Sequence, residues 1–152
     1  MLREKFKEDL VSAMREKNKI KTGTMRLIMA ALKDRDIAVR SKGNMDGIAE
    51  DEILSMLQTM IKQRRDSIAL YKQGGRDELA EKETSEINII EAFLPKQMDQ
   101  DEMKAVIEQA IEKEEASGLK DMGRVMGFLK EEYNGQMDFA SASGIVKEKL
   151  AG

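Results

Sequence analysis

The sequence predicts an all-α protein, and three observations support that class. Apolar side chains recur three and four residues apart through most of the chain, which is the spacing of one helix face. Proline, which interrupts helices, occurs once in 152 residues. Aromatic residues, which favour strands, make up only 4% of the chain. We therefore expect an N-terminal helical domain with a long helical hairpin, followed by a small three-helix C-terminal domain.

Four helices are expected in the first part of the chain. The first spans about residues 2–18, and the second begins near Thr22 or Thr24, since threonine can cap a helix. The third spans about residues 49–73 and ends at Gly74-Gly75, and the fourth spans about residues 77–93. Because the turn between them is short, the third and fourth helices should form an antiparallel hairpin.

Pro95 marks the expected boundary between two domains, 1–94 and 95–152, because proline stops the preceding helix. Charge changes at the same place: residues 1–94 carry 18 basic and 17 acidic side chains, whereas residues 95–152 carry 8 and 12. The second domain should hold helices at about residues 99–116, 121–133 and 138–150, with Gly118 ending the first of them.

The chain has neither histidine nor cysteine, so it lacks the commonest general base and any thiol nucleophile. Ser67 and Ser141 lie near lysines but on no nucleophile motif, so they are interpreted as ordinary helix residues. The acids at residues 99–102 are interpreted as a helix cap, since the glycine and spacing of a calcium loop are missing. We predict no catalytic residue, metal site or cofactor in the chain. Whether the chain has an enzymatic role stays open, although it is not expected to be catalytic alone.

The N-terminus and the hydropathy of the chain predict a cytoplasmic protein without a membrane partner. Residues 1–5 alternate in charge and lack the apolar core of a secretory signal. No apolar run approaches the length needed to span a bilayer.

Two charged residues, Arg64 and Glu83, fall within the apolar stripes of the predicted hairpin. A buried charge is costly unless it is paired, so we expect these residues to form a structural ion pair that fixes the hairpin register. The alternative is that each lies at the edge of its stripe with its charged end in water.

Basic residues are concentrated near the N-terminus, where residues 1–45 contain twelve Lys/Arg and six acids. Arg26 and Lys33 lie in this region, and Arg65 adds to it from the hairpin. These side chains could contact a phosphate backbone. In a chain with 36% charged residues, such cations more commonly form a solvated helix face.

Several segments together resemble the YqeY-like family over essentially the whole chain. They are residues 62–68 (KQRRDSI), 71–80 (YKQGGRDELA) with Glu83, 93–97 (FLPKQ), 121–127 (DMGRVMG) and 146–150 (VKEKL). The resemblance implies a helical N-terminal domain followed by a three-helix tail similar to the tail domain of the B subunit of the glutamine-dependent aminoacyl-tRNA amidotransferase.

In that amidotransferase the tail helps to hold tRNA, so the resemblance implies a nucleic-acid-binding role for matching residues. These are Gly123, Arg124 and Gly127, with Lys120 and Lys130 nearby. Two glycines four residues apart expose helix backbone on one side, for approach by RNA or by another helix. The alternative is tight packing against a neighbouring helix of the same domain.

The sequence thus favours a non-catalytic tRNA-associated binding module, whose partner is tRNA or a tRNA-handling enzyme. The family's carbon–nitrogen ligase label follows from kinship alone, because no segment matches the parts that activate a carboxylate or release ammonia. The alternative is a helical protein–protein interaction adaptor without RNA binding.

Overall fold

The computed structural model describes residues 1–152 and contains seven α-helices and no β-strand, so the all-α prediction is confirmed. The helices are α1 (Leu2–Arg15), α2 (Lys19–Arg40), α3 (Glu50–Gln73), α4 (Asp77–Glu91), α5 (Gln100–Lys113), α6 (Met122–Glu132) and α7 (Phe139–Ala151), with a 3-10 turn at Leu119–Asp121. The chain forms two compact units, Met1–Leu94 and Pro95–Gly152, and each has its own apolar core. None of the helices has the length and apolar character needed to cross a lipid bilayer.

The core of the first unit is built from the apolar stripes of α1, α2, α3 and α4. Phe6, Ile28, Leu57 and Ile90 contribute one fully buried side chain from each helix. The rings of Phe6 and Phe93 meet edge to face with their centroids 5.0 Å apart, an arrangement that aromatic pairs prefer. Each stripe is therefore covered by the other helices of this unit.

The connection between α1 and α2 lies earlier than the sequence predicts. Helix α1 ends at Arg15 rather than near residue 18, and α2 begins at Lys19 rather than near Thr22 or Thr24. The side chain of Asn18 caps α2 by accepting a hydrogen bond from a backbone amide at 3.1 Å. Lys17 ends the preceding turn with a left-handed backbone, φ +57°. Thr24 is buried within α2, and its hydroxyl donates to the carbonyl four residues earlier at 2.9 Å. No apolar residue lies between Met14 and Ile20, so the apolar spacing could not locate this helix boundary.

The turn between α3 and α4 depends on Gly75, whose φ is +71°. The Arg76 amide donates to the Tyr71 carbonyl at 2.8 Å, and the Gly75 amide donates to the Lys72 carbonyl at 3.2 Å. These two bonds form a Schellman motif, which satisfies the last carbonyls of α3. Glycine adopts the required left-handed conformation without a steric penalty, so the helix ends where the sequence predicts.

The core of the second unit is built from α5, α6 and α7. Ile107, Val125 and Val146 are fully buried, one from each helix. The Met98 amide donates to the Gln136 carbonyl at 2.8 Å, which joins the segment before α5 to the connection between α6 and α7.

Helix α5 ends at Lys113, whereas the sequence predicts an end near residue 116. Glu115 takes a left-handed backbone with φ +51°, and the Ala116 amide donates to the Ile111 carbonyl at 3.0 Å. The helix therefore stops before Gly118, the residue expected to end it. A non-glycine residue at the left-handed position gives no local signal, so composition could not locate this end.

Candidate functional site

Helix α6 turns its two glycines away from the core of the second unit. Val125 and Leu129 are fully buried on one side of the helix. Gly123 and Gly127 are exposed on the opposite side, as the rotation of 100° per residue requires. A Cβ atom on either glycine would meet nothing within 4 Å. No helix of this unit packs against the glycines, so the bare backbone of α6 is accessible to another molecule.

Two lysines border these glycines at the two ends of α6. Lys120, in the 3-10 turn, and Lys130, in the last turn of α6, are exposed and belong to no ion pair. From Met122 to Lys130 the chain contains two cations and no acid. We call the set of Lys120, Gly123, Gly127 and Lys130 the glycine face of α6. The two lysines give this face two positive charges, although the second unit as a whole is net negative and Asp121, Glu131 and Glu132 lie next to them in sequence.

Arg124 is held by the end of α5. Its Nη2 atom donates to the Glu114 carbonyl at 2.7 Å, and its Nε lies 3.5 Å from the Glu114 carboxylate. The same guanidinium lies 3.4 Å from Asp121. The pKa of Asp121 is lowered first by a hydrogen bond from the Ser117 amide and then by the Arg124 charge. Arg124 therefore caps the carbonyl end of α5, where a cation also complements the helix dipole.

The three basic candidates of the first unit have different surroundings. Lys33 is exposed and belongs to no ion pair. Arg65 pairs with Glu91 of α4 at 3.1 Å. Arg26 is exposed and lines a groove between α1 and α2. Of these three cations, Arg26 and Lys33 are unpaired, whereas Arg65 already has a carboxylate partner.

The α3–α4 hairpin contains a largely buried ion pair centred on Arg64. Its Nε atom donates to Oε2 of Glu86 at 2.8 Å and lies 3.9 Å from Oε2 of Glu83. Its Nη1 atom donates to the Met60 carbonyl at 3.1 Å. The side chains of Arg64 and Glu86 are only 13% and 11% exposed. Glu83 is thus near the guanidinium, but the close partner is Glu86.

Sequence reasoning missed Glu86 although a signal was present. Glu86 precedes the buried Ile90 by four residues, so it occupies the same apolar stripe of α4. Its carboxylate could therefore have been expected to need a buried partner.

A second charged cluster, which no sequence pattern indicated, fastens the start of α1 to the end of α2. The Arg3 guanidinium donates two hydrogen bonds to the Asp36 carboxylate, at 2.7 and 2.8 Å. Arg3 also donates to the Ile48 carbonyl at 2.8 Å, and the Ile48 amide donates to Asp36 at 2.9 Å. The Arg3 hydrogen bonds, helped by the Ile48 amide and opposed by partial burial, lower the pKa of Asp36 to about 2.

The serines considered as nucleophiles and the acids considered as metal ligands form hydrogen bonds with nearby residues of their own helices or caps. The Ser141 hydroxyl donates to the Asp138 carboxylate at 3.0 Å, and the Ser67 hydroxyl donates to a carbonyl of its own helix at 3.1 Å. Asp99 caps α5 by accepting from the Glu102 amide at 2.8 Å, and this bond lowers the pKa of Asp99. No group of three or more acidic side chains is arranged to hold a metal ion.

Comparison with known proteins gives one family match and several relatives. The model of the family described as "Yqey-like protein" matches residues 3–150. The protein "Altered inheritance of mitochondria protein 41, mitochondrial" of Eremothecium gossypii is 38% identical over 89 residues, which are 59% of this chain and 46% of that protein. The proteins of the same name from Kluyveromyces lactis and Saccharomyces cerevisiae (strain YJM789) are 32% and 33% identical over 58% and 59% of this chain and 45% and 46% of their own lengths. The aligned region thus spans about half the length of these curated relatives.

These names contradict the expectation of a cytoplasmic location, because the relatives are named as mitochondrial proteins. The expectation rested on the lack of an apolar secretory core at residues 1–5. Segments that direct proteins to mitochondria are amphipathic and rich in arginine, so they contain no such core. The absence of an apolar core therefore carries no information about that compartment.

Proposed function

This chain belongs to the Yqey-like protein family, and on that premise we propose that it is a non-catalytic tRNA-associated binding module. The family resemblance links its second unit, Pro95–Gly152, to the tail domain of the B subunit of the glutamine-dependent aminoacyl-tRNA amidotransferase. In this proposal the second unit is a tail domain, the first unit is a helical domain joined to it, and the partner is tRNA or a tRNA-handling enzyme.

The exposed glycines of α6 are the observation that supports the proposal most directly. An exposed glycine inside a helix lowers stability by about 1 kcal/mol relative to alanine. Gly127 lies in the interior of α6, and no neighbouring helix of its unit explains the missing side chain. A sugar–phosphate backbone can approach such a bare helix face closely, while Lys120 and Lys130 neutralise phosphates at its two ends.

The proposal assigns the phosphate contacts to the unpaired cations. These are Lys120 and Lys130 of the second unit, with Lys33 as a further cation of the first unit. Arg124 and Arg65 are assigned structural roles instead, because each already pairs with carboxylates. Any amide-forming chemistry then belongs to a partner enzyme, since no segment of the chain matches the parts that activate a carboxylate or release ammonia.

Titration of fluorescently labelled tRNA with the full chain, followed by anisotropy at several salt concentrations, tests the proposal. Binding should weaken steeply with salt, with a logarithmic slope equivalent to about two to four released counterions. Gly123→Gln and Gly127→Gln should each weaken binding by about tenfold, or 1.4 kcal/mol. Gly144→Gln is the matched control, because Gly144 is exposed on α7 with nothing within 4 Å of its Cβ position.

Charge reversal gives a second arm of the same experiment. The double variant Lys120→Glu/Lys130→Glu should abolish measurable binding at physiological salt, whereas Lys104→Glu, an exposed cation of α5, should have a small effect. Binding that does not respond to salt, or that the α6 and control variants weaken equally, rejects the glycine face as the RNA contact.

A helical protein–protein adaptor without RNA binding is the second candidate. The exposed apolar side chains Val11, Met14, Ile20 and Leu27 on α1 and α2 favour it. A partner that remains bound after nuclease treatment, together with no detectable tRNA affinity, would support this candidate over the first.

A further inference from the structure

The α1–α2 hairpin carries a groove that the proposed RNA contact on α6 does not explain. The groove lies between the end of α1 and the first turns of α2, and it is lined by Met14, Lys17, Lys19, Thr22, Gly23 and Arg26. A Cβ atom on Gly23 would meet nothing within 4 Å, so the middle of this α1–α2 groove is open.

The charged side chains that line the α1–α2 groove are all positive. Residues 17–33 contain five Lys/Arg and no Asp or Glu, in a chain where acids outnumber bases. Lys17, Lys19 and Arg26 line the groove, and none of them belongs to an ion pair. The groove therefore presents uncompensated positive charge, and an occupant must bring negative charge to it.

Apolar side chains are exposed beside these cations. Met14 lines the groove and is 51% exposed. Ile20 and Leu27 are 51% and 47% exposed, and they share one face of α2 with Gly23 because they lie three residues before it and four residues after it. Apolar surface rimmed by polar residues is typical of an interaction site. The occupant must therefore also supply apolar side chains.

These two requirements distinguish a helix from a nucleic acid. No aromatic ring lines the groove, so nothing there can stack on a base. A phosphate backbone would satisfy the lysines but leave Met14, Ile20 and Leu27 in water. An amphipathic helix with acids beside its apolar stripe satisfies both the cations and the aliphatic side chains, in the manner of helix-in-groove recognition.

We propose that the α1–α2 groove docks an amphipathic helix of a partner protein, with Glu or Asp flanking an apolar stripe. The apolar stripe packs over Gly23 between Met14 and the Ile20–Leu27 face. The partner's acids pair with Lys17, Lys19 and Arg26. This docking is separate from RNA association through α6, so either proposal can fail while the other stands.

The probe is a synthetic helical peptide of about five turns, long enough to hold helical structure, with leucines along one face and glutamates beside them. Its control has the same composition with the leucines distributed around the helix. Anisotropy of the labelled peptides, titrated with the full chain, should show micromolar binding of the probe and about tenfold weaker binding of the control.

Variants of the groove identify where the peptide binds. Gly23→Gln fills the open centre, and Lys19→Glu/Arg26→Glu reverses the charge of the rim. Each should weaken peptide binding by about tenfold or more. Lys42→Glu/Lys72→Glu is the matched control, because both residues are exposed cations outside the groove. None of these variants should lower the urea unfolding midpoint, since none of the replaced side chains is buried. Gly23→Gln should raise the midpoint, because Gly23 is an exposed glycine within α2.

Four results would overturn the proposal. Equal binding of the probe and the redistributed peptide would mean simple charge attraction, and no effect of the groove variants would place the peptide elsewhere. Direct binding of an RNA hairpin that competes with the peptide, and that Lys19→Glu/Arg26→Glu abolishes, would make the groove a nucleic-acid site. A concentration-dependent dimer that Gly23→Gln dissociates would make the occupant a second copy of this chain.

Discussion

A Cβ atom at Gly47 would lie 2.5 Å from Oδ1 of Asp36, so the loop before α3 passes directly against the Arg3–Asp36 ion pair. Gly47 also has a φ of +89°, in the region where residues with side chains are strained. Two independent constraints therefore require glycine at this position. The ion pair itself joins α1, α2 and the loop, which makes it a tertiary feature of the first unit.

Gly47→Ala should lower the free energy of unfolding by about 3 kcal/mol, because the backbone strain of about 1–2 kcal/mol is added to displacement of Asp36 from Arg3. Gly43→Ala is the matched control, since Gly43 has φ +90° and nothing within 4 Å of its Cβ position. It should cost only the backbone strain. Urea denaturation followed by circular dichroism measures both, and equal losses would contradict the role of the close approach.

Asp36 should make the stability of the first unit depend on acid pH. Its pKa falls from the ordinary 3.8 to about 2 in the folded protein, so the folded state favours the carboxylate. The stabilisation is complete above about pH 4 and is lost as the pH falls through about 2. Asp36→Asn should cost about 1–3 kcal/mol at pH 7. The difference between wild type and Asp36→Asn should shrink at pH 2.5, and a constant difference would argue against this linkage.

The two carboxylates near Arg64 should differ in importance. Glu86→Ala leaves a mostly buried guanidinium without its close partner and should cost about 3 kcal/mol. Glu83→Ala removes a carboxylate 3.9 Å away and should cost under about 1 kcal/mol. Arg64→Met/Glu86→Leu should recover most of the loss, because an apolar pair fills the same space. Chemical denaturation of the four proteins decides the ranking, which reverses if Glu83 is the main partner.

Lys17 and Glu115 have left-handed backbone conformations, so replacing either residue by glycine should stabilise the folded protein. Each has a side chain at a positive φ, 57° and 51°, at the end of a helix. Lys17→Gly and Glu115→Gly should each raise the free energy of unfolding by about 1 kcal/mol through relief of that strain. Lys7→Gly, within α1, is the control and should lower it by about 1 kcal/mol. Thermal melts that show destabilisation in all three variants would contradict the backbone assignment.

A substitution on the glycine face of α6 should raise the stability of the protein and weaken its tRNA binding. Gly127→Gln should raise the free energy of unfolding by about 0.5–1 kcal/mol, because Gly127 lies in an exposed helix interior. Gly144→Gln should stabilise α7 similarly. The proposed function requires that only Gly127→Gln also weakens tRNA binding. Destabilisation by Gly127→Gln in urea would mean that the glycine is needed for packing within the second unit.

The sequence by itself determined the fold class, the family and the existence of seven helices. Helical hydrogen bonds join residues four apart, so the apolar spacing and the glycines at residues 74–75 carry this information locally. The sequence did not predict the helix ends near Lys17 and Glu115, because a left-handed backbone at a residue with a side chain has no distinctive local pattern.

Only the tertiary structure decided which charged residues meet and which faces stay open. Arg64 selects Glu86 over Glu83, Arg124 turns to the end of α5, and Arg3 reaches Asp36 across 33 positions of sequence. These choices depend on the rotation and register of whole helices, which the packing of the complete core sets. The same packing leaves Gly123 and Gly127 facing outward, although their spacing alone was equally compatible with a buried contact.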